Sequence, residues 1–232
     1  IEVGRLAGKH IVSSTKGHAN VIEIVGDPKT SPGLERSLGF KQIVKQYPGI
    51  KVITIDSDDF GHPKENYIKL LDSLPNIDFI YGFNDMIAYN AWKIAKSKGI
   101  EKKIKFIGVD GLNGPFGGIQ LVKDGALEST ILYPTGGSEA IKLALKILNN
   151  EIVPKNNKLN TILIDSLNAD IMSNQFDKIT IQQSDIEQQQ SVIKNQERKY
   201  STQNNLLKLL ISLFVIVLSL AIYSIYSRII IS

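Results

Sequence analysis

Five apolar runs in this sequence each lead into residues that can hydrogen-bond or stack. The first leads to Asp27, the second to Asp56-Ser-Asp-Asp-Phe60, the third to Asn84-Asp85, the fourth to Asp110 and the fifth to Tyr133. Arg36 stands a few residues beyond the first. Carboxylate and amide oxygens accept from hydroxyls, and Arg and amide N–H groups donate to them. An aromatic face packs on the C–H side of a sugar ring. Acids, an amide, one guanidinium and two aromatics are the groups needed to hold a neutral polyhydroxyl ligand. Each also has a plainer use. Asn84 fits a helix cap equally well, Asp110 before Gly111 a turn, Arg36 a solvated helix face and Phe60 a core position. Asp27 before Pro28 reads first as a turn former, and Tyr133 before Pro134 is open. Their shared position after apolar runs is a stronger signal than any one member.

Other chemistries find no footing. His10, His18 and His62 are far apart and lack metal-ligand spacing. Asp56, Asp58 and Asp59 lack the glycine and distal glutamate of a calcium loop. There is no Gly-x-Gly-x-x-Gly after a strand, no P-loop and no Gly-x-Ser-x-Gly. With no cysteine, thiolate metal sites, disulfides and thiol nucleophiles are excluded. The net charge of +4 is scattered and forms no basic cluster interleaved with aromatics, against a nucleic-acid partner. The reading is a binding segment without enzymatic activity, cofactor or metal.

The elements that must position these residues alternate. A helix with Leu6, Ala7 and Ile11 on one side precedes the strand Ala19-Asn-Val-Ile-Glu-Ile-Val25. Ser31-Pro32 reads as a cap and first helical residue, followed by a helix expected to bury Leu34, Leu38, Ile43, Val44 and Tyr47. Ile50 to Ile55 is a strand; Tyr67, Leu70, Leu71 and Leu74 make a helical face. The strand Ile77 to Tyr81 leads to a helix with Ile87, Ala88, Ala91, Ile94 and Ala95 inward and Trp92 in the core, closed by Gly99. Ile104 to Val109 is the next strand, followed by a short helix to Gly125 and the strand Ser129 to Leu132. An amphipathic helix carries Ile141, Ala144, Leu145 and Leu148, and Leu159 to Ile164 is the last strand. The fold class is α/β: a doubly wound parallel sheet covered on both faces, whose ligands bind outside the carboxyl ends of the strands.

From residue 168 the composition changes. Residues 168–205 are a Gln-rich connector without Gly or Pro, read as a helix that pairs with a second copy, the alternative being a solvated, flexible tether; Ile186, Ile193 and Tyr200 recur every seven residues. Residues 206–227 are a transmembrane helix. No charge falls between Lys208 and Arg228, and the apolar run 209–227 is about 28 Å long at roughly 1.5 Å per residue. Tyr223 and Tyr226 suit the headgroup zone at one end, and Lys208 can snorkel at the other. Residues 228–232 would begin the cytoplasmic side. The chain starts at Ile1 and stops just past the span, so it is expected to be a piece of a longer protein.

Val25-Gly-Asp27, Glu35-Arg36-Ser-Leu-Gly39-Phe40, Phe83-Asn84-Asp85-Met-Ile-Ala88, Gly108-Val-Asp110-Gly111 and Asp124-Gly125-Ala-Leu127 with Thr130 recur in the order and spacing of a family. They resemble the ribose-binding type of periplasmic sugar-binding proteins and the effector domains of lactose-repressor relatives, over residues 3–165. The resemblance implies a type I clamshell whose two lobes close on a sugar. Residues 1–167 would be mostly the second lobe, with residues 136–149 packing on the first. The family's sugar contacts carry over to Arg36, Phe60, Asn84 and Asp110. Position 133 is Tyr where ribose binders usually carry Gln, and the loop 112–118 is longer. The connector and span resemble the sensor region of hybrid two-component histidine kinases of the Bacteroidetes type. This implies a homodimeric single-span receptor in the bacterial inner membrane, in contact with lipid, with its α/β domain in the periplasm sensing a monosaccharide. The alternative is a membrane-tethered solute-binding protein for carbohydrate uptake.

Overall fold

A computed structural model describes residues 1–57, 65–74 and 76–231. The described chain divides into two units, Ile1–Phe176 and Asp177–Ser232. In the first, α1 (Glu2–Thr15) precedes β1 (Ala19–Val25), α2 (Ser31–Val44), β2 (Ile50–Asp56), α3 (Glu65–Ser73), β3 (Phe79–Gly82) and α4 (Asp85–Ser97). A 3-10 turn at Glu101–Lys103 leads to β4 (Lys105–Asp110), α5 (Gly118–Lys123), β5 (Ser129–Leu132), α6 (Gly137–Leu148) and β6 (Leu163–Asp165).

The sheet order is β2-β1-β3-β4-β5-β6. The first five strands are parallel, with Val25 beside Asp56, Ile24 beside Gly82 and Asp110 beside Leu132, so their carboxyl ends form one rim. Alternate residues feed two cores. Ile22, Ile24, Ile80 and Phe106 pack with residues of α3, α4 and α5; Val21, Phe79, Tyr81, Ile107 and Ile131 pack with α1 and α2. That period of two, with both faces covered, explains why apolar residues occupy both alternating positions in β1, β3 and β4.

Four expectations are corrected. β6 runs antiparallel to β5 and starts at Leu163, not Leu159, so the sheet is mixed rather than wholly parallel. The cause lies in α6, which buries no residue: a helix that does not cover a sheet face makes no βαβ crossover, and the chain comes back along the edge. The cap of α2 is Thr30, whose side chain accepts from Gly33 N at 3.2 Å, so Ser31 is already helical. Leu34, Leu38 and Tyr47 are exposed; the inward side of α2 is Gly33, Arg36, Gly39, Phe40 and Val44. Where α2 crosses α1, at Gly39, a side chain is excluded because the two backbones come into contact. A Cβ on Gly4 would stand 1.9 Å from Arg36 O, and one on Gly39 2.0 Å from Ile1 O. Trp92 is only partly buried, stacked on Tyr89 with ring centroids 5.5 Å apart.

The helix α7 (Ala169–Ile231) begins in the first unit, where Ala169 and Ser173 are buried and Met172 and Phe176 pack on the core. In the second unit every described side chain up to Tyr226 is exposed, including Ile186, Ile193 and Tyr200. The stretch up to Ser227 is long and apolar enough to cross a membrane, with a mean hydropathy of 2.6 in its most apolar window and none of that window buried.

Candidate functional site

Arg36 organises the rim. Thr30 starts α2 at the end of β1, and Pro32 in the first turn sets the helix on its course. Arg36 falls one turn later on the sheet-facing side and is only 7% exposed. Its Nη1 donates to Phe83 O at 2.6 Å, and its Nη2 to Asp110 Oδ1 at 3.1 Å. The guanidinium carbon lies 4.5 Å from the centre of the Phe83 ring and 4.9 Å from that of Tyr133. Cation–π contact with two rings and a charge-assisted bond hold the group in one orientation. Its buried Nε has no hydrogen-bond partner among the described residues.

The structure thus brings Arg36, Asp110 and Tyr133 together. Tyr133, 45% exposed, covers the guanidinium from the solvent side, and its backbone N–H donates to Asp110 O at 3.0 Å. Asn84, next in chain to Phe83, caps α4: its Oδ1 accepts from Ile87 N at 2.8 Å. Asp27 is exposed. Its Oδ1 accepts from Lys29 N and its carbonyl oxygen from Thr30, so it serves the turn that starts α2. Phe60 lies outside the described residues.

Two residues at the rim were not among the expected site residues. Phe83 supplies both a ring and a carbonyl to Arg36. Its ring lies so close to Gly26 that a Cβ there would stand 2.8 Å from it. Asp85 is 6% exposed, beneath the rim. It accepts from Gly111 N at 2.8 Å through Oδ2 and from the Thr130 hydroxyl through Oδ1. Burial pushes its carboxyl up to about 7, against the two hydrogen bonds, which favour the charge; the charge of Asp110 adds to the rise and that of Arg36 opposes it. A folded-state value above the unfolded one makes the ionised carboxylate a cost. That cost is absent below about pH 4 and complete above about pH 7, so this group's contribution to stability falls as pH rises between them. Asp110 is raised too, by burial, with Arg36 pulling it back.

Among the described residues no cluster of His, Cys, Asp or Glu could hold a metal. What the rim offers is a guanidinium, a partly exposed carboxylate and aromatic faces.

Comparison with known proteins agrees with this architecture. The profile of the periplasmic binding protein domain matches residues 1–152. The ribose import binding protein of Haemophilus influenzae is 31% identical over 154 residues, 65% of this chain and 51% of that protein. The galactofuranose-binding protein of Escherichia coli is 31% identical over 122 residues, 50% of this chain and 37% of that protein. The chain spans about half the length, or less, of these curated relatives. Among solved structures, the fructose-binding periplasmic domain of a hybrid two-component system superposes with a TM-score of 0.74 at 35% identity, covering 80% of this chain and 63% of that one. A solute-binding protein of an ABC transporter from Actinobacillus succinogenes, with D-allose bound, gives 0.63 at 25%, covering 72% and 60%. A parallel-stranded rim built around a clamped arginine, a matching profile over the whole sheet as far as β5, and relatives sharing about a third of their residues have one common explanation: this chain belongs to the periplasmic binding protein family.

Proposed function

We propose that the rim binds a monosaccharide, with Arg36 donating to ring hydroxyls, Asp110 accepting from them, the Asn84 amide donating beside them and Tyr133 and Phe60 packing on the sugar's C–H faces. The observation that carries this is the Arg36 guanidinium, held between Phe83 and Tyr133 and tied to Asp110 at the carboxyl ends of the strands. Residues 1–167 are then mostly the second lobe of a clamshell, the connector covers 168–205 and the span 206–227. The chain is the periplasmic sensing segment of a single-span receptor in the inner membrane, of the hybrid two-component histidine kinase type. Sugar-driven lobe closure shifts a conformational equilibrium that the helical connector carries through the membrane. One feature favours a receptor over a tethered uptake protein: the fructose-binding relative belongs to a two-component system.

Titration calorimetry of the full-length protein in detergent, against ribose, fructose, allose and galactofuranose, tests the ligand. Saturable binding of at least one sugar is expected, and binding of none overturns the reading. The pairing of two copies through the connector is tested separately. These 232 residues contain no cysteine, so Ile193→Cys in this chain, in membranes, should give a disulfide-linked dimer on mild oxidation. A monomer at that position, and equally at Ile186→Cys and Tyr200→Cys, overturns the homodimer.

A further inference from the structure

The Asp85 carboxylate is enclosed by three segments: β4 with the turn after it, β5 and the start of α5. Thr130 on β5 donates to Oδ1, and Gly111, just past β4, donates to Oδ2. On the remaining sides glycines make room for it. A Cβ on Gly108 would stand 2.2 Å from Oδ1, and one on Gly118, at the start of α5, 2.2 Å from Oδ2. A side chain at either glycine would collide with the carboxylate. The turn that it grips is unusual. Asp110 has φ 119° and Gly111 φ 61°, so a non-glycine residue occupies a region that side chains rarely adopt. Some interaction must hold it there, and the Gly111 N–H to Asp85 bond is the buried one.

We propose that Asp85 is a positioning residue: its buried carboxylate locks the Asp110–Gly111 turn and so sets where the Asp110 carboxylate stands at the rim. The functional half of this rests on the sugar-binding reading above; the locking half does not. The charged groups facing Asp85 are Asp110 from β4, which disfavours its ionised form, and Arg36 from α2, which favours it; β5 offers the Thr130 hydroxyl and α5 only the backbone of Gly118. Neutral Asp85 can still accept from Gly111 with one oxygen while donating to Thr130 with the other, which is what an asparagine can do. Ionisation makes the Gly111 bond charge-assisted and shorter.

The sequence offers a clean probe. Asp110–Gly111 and Asp124–Gly125 are its only Asp–Gly steps. Labelling aspartate with carbon-13 at the carbonyl and glycine with nitrogen-15 therefore isolates two amides in the full chain in micelles, with Gly125 as the internal reference for folding. In the wild type the Gly111 amide proton should move downfield with rising pH, with a midpoint near 7, while Gly125 stays still. Asp85→Asn should hold Gly111 near its acidic position at every pH, and Asp85→Ala should shift it upfield without titration. Affinity for the best-binding sugar should fall at least about ten-fold in Asp85→Ala and stay within about three-fold in Asp85→Asn. The inference is overturned if Asp85→Ala leaves the Gly111 amide in place, if Asp85→Asn titrates like the wild type, or if a sugar binds equally well to wild type and Asp85→Ala. A wild type that binds no sugar but shows the Gly111 titration refutes the ligand reading and upholds the lock.

Discussion

Replacing Arg36 with alanine is expected to weaken binding of the preferred sugar about 100-fold, the upper end of what one charge-assisted hydrogen bond contributes (roughly 1.5–3 kcal/mol). The loss is large because one side chain does several jobs at once. Its Nη1 satisfies the Phe83 carbonyl oxygen, its Nη2 neutralises Asp110, and its plane separates the Phe83 and Tyr133 rings. Without it, Asp110 keeps its desolvation and loses its counter-charge. Burial already raises that carboxyl, so the variant's acceptor becomes neutral at a higher pH than the wild type's. The Asp110 side chain is one-third exposed, so solvent screens part of the damage. The stability cost should be about 1–2 kcal/mol, not the 3–5 kcal/mol of a fully buried broken pair. Lysine restores the charge but not the planar fork that bonds two acceptors while stacking on rings, so Arg36→Lys should recover at most a minor part of the affinity. Calorimetry with the tightest sugar of the panel decides: affinities within about three-fold of wild type for Arg36→Ala remove Arg36 from the ligand site.

Much of this arrangement was legible before any coordinates. Strand positions follow from apolar runs of four to seven residues, most of them bounded by Gly, Pro or Asp, and the order of strands and helices implies that the polar ends share a rim. What failed did so for tertiary reasons. Leu34 and Leu38 carry the usual mark of a buried helical face, yet α2 turns its glycines inward because α1 lies in backbone contact; only the partner helix reveals that. Asp85 reads from sequence, with Asn84, as a polar group at the end of the third apolar run, and its burial comes from β4, β5 and α5 folding over it. The direction of β6 depends on α6 leaving the sheet uncovered, although the amphipathic pattern Ile141, Leu145, Leu148 reads as a covering helix. Phe83 had a weak signal: an aromatic between a strand-ending Gly82 and a helix-capping Asn84 is held by backbone on both sides, so its ring must lie at the rim.

Gly4→Ala should destabilise the first unit by about 3 kcal/mol, near the upper end for overpacked cores, although alanine is the better helix former by about 1 kcal/mol. The two effects oppose each other, and distance decides between them. The new methyl would sit 1.9 Å from Arg36 O and 2.7 Å from Phe40 N. These are backbone atoms in the middle of α2 and cannot swing aside as a side-chain tip can. Relief requires the helices to separate, which pulls Phe40 from its contact with Tyr81, whose ring centroid lies 4.9 Å away. Separation also carries Arg36 away from Phe83 and Asp110, so the substitution should weaken sugar binding although Gly4 is remote from the ligand. Gly137 is the matched control: nothing lies within 4 Å of a Cβ built there, and it begins α6, so Gly137→Ala should be neutral or slightly stabilising. Thermal unfolding of the full-length protein should show a midpoint lowered by about 10 °C for Gly4→Ala and not lowered for Gly137→Ala. Equal midpoints for the two variants would show that α1 and α2 do not meet backbone to backbone, and with that the placement of Arg36 by this helix pair would fall.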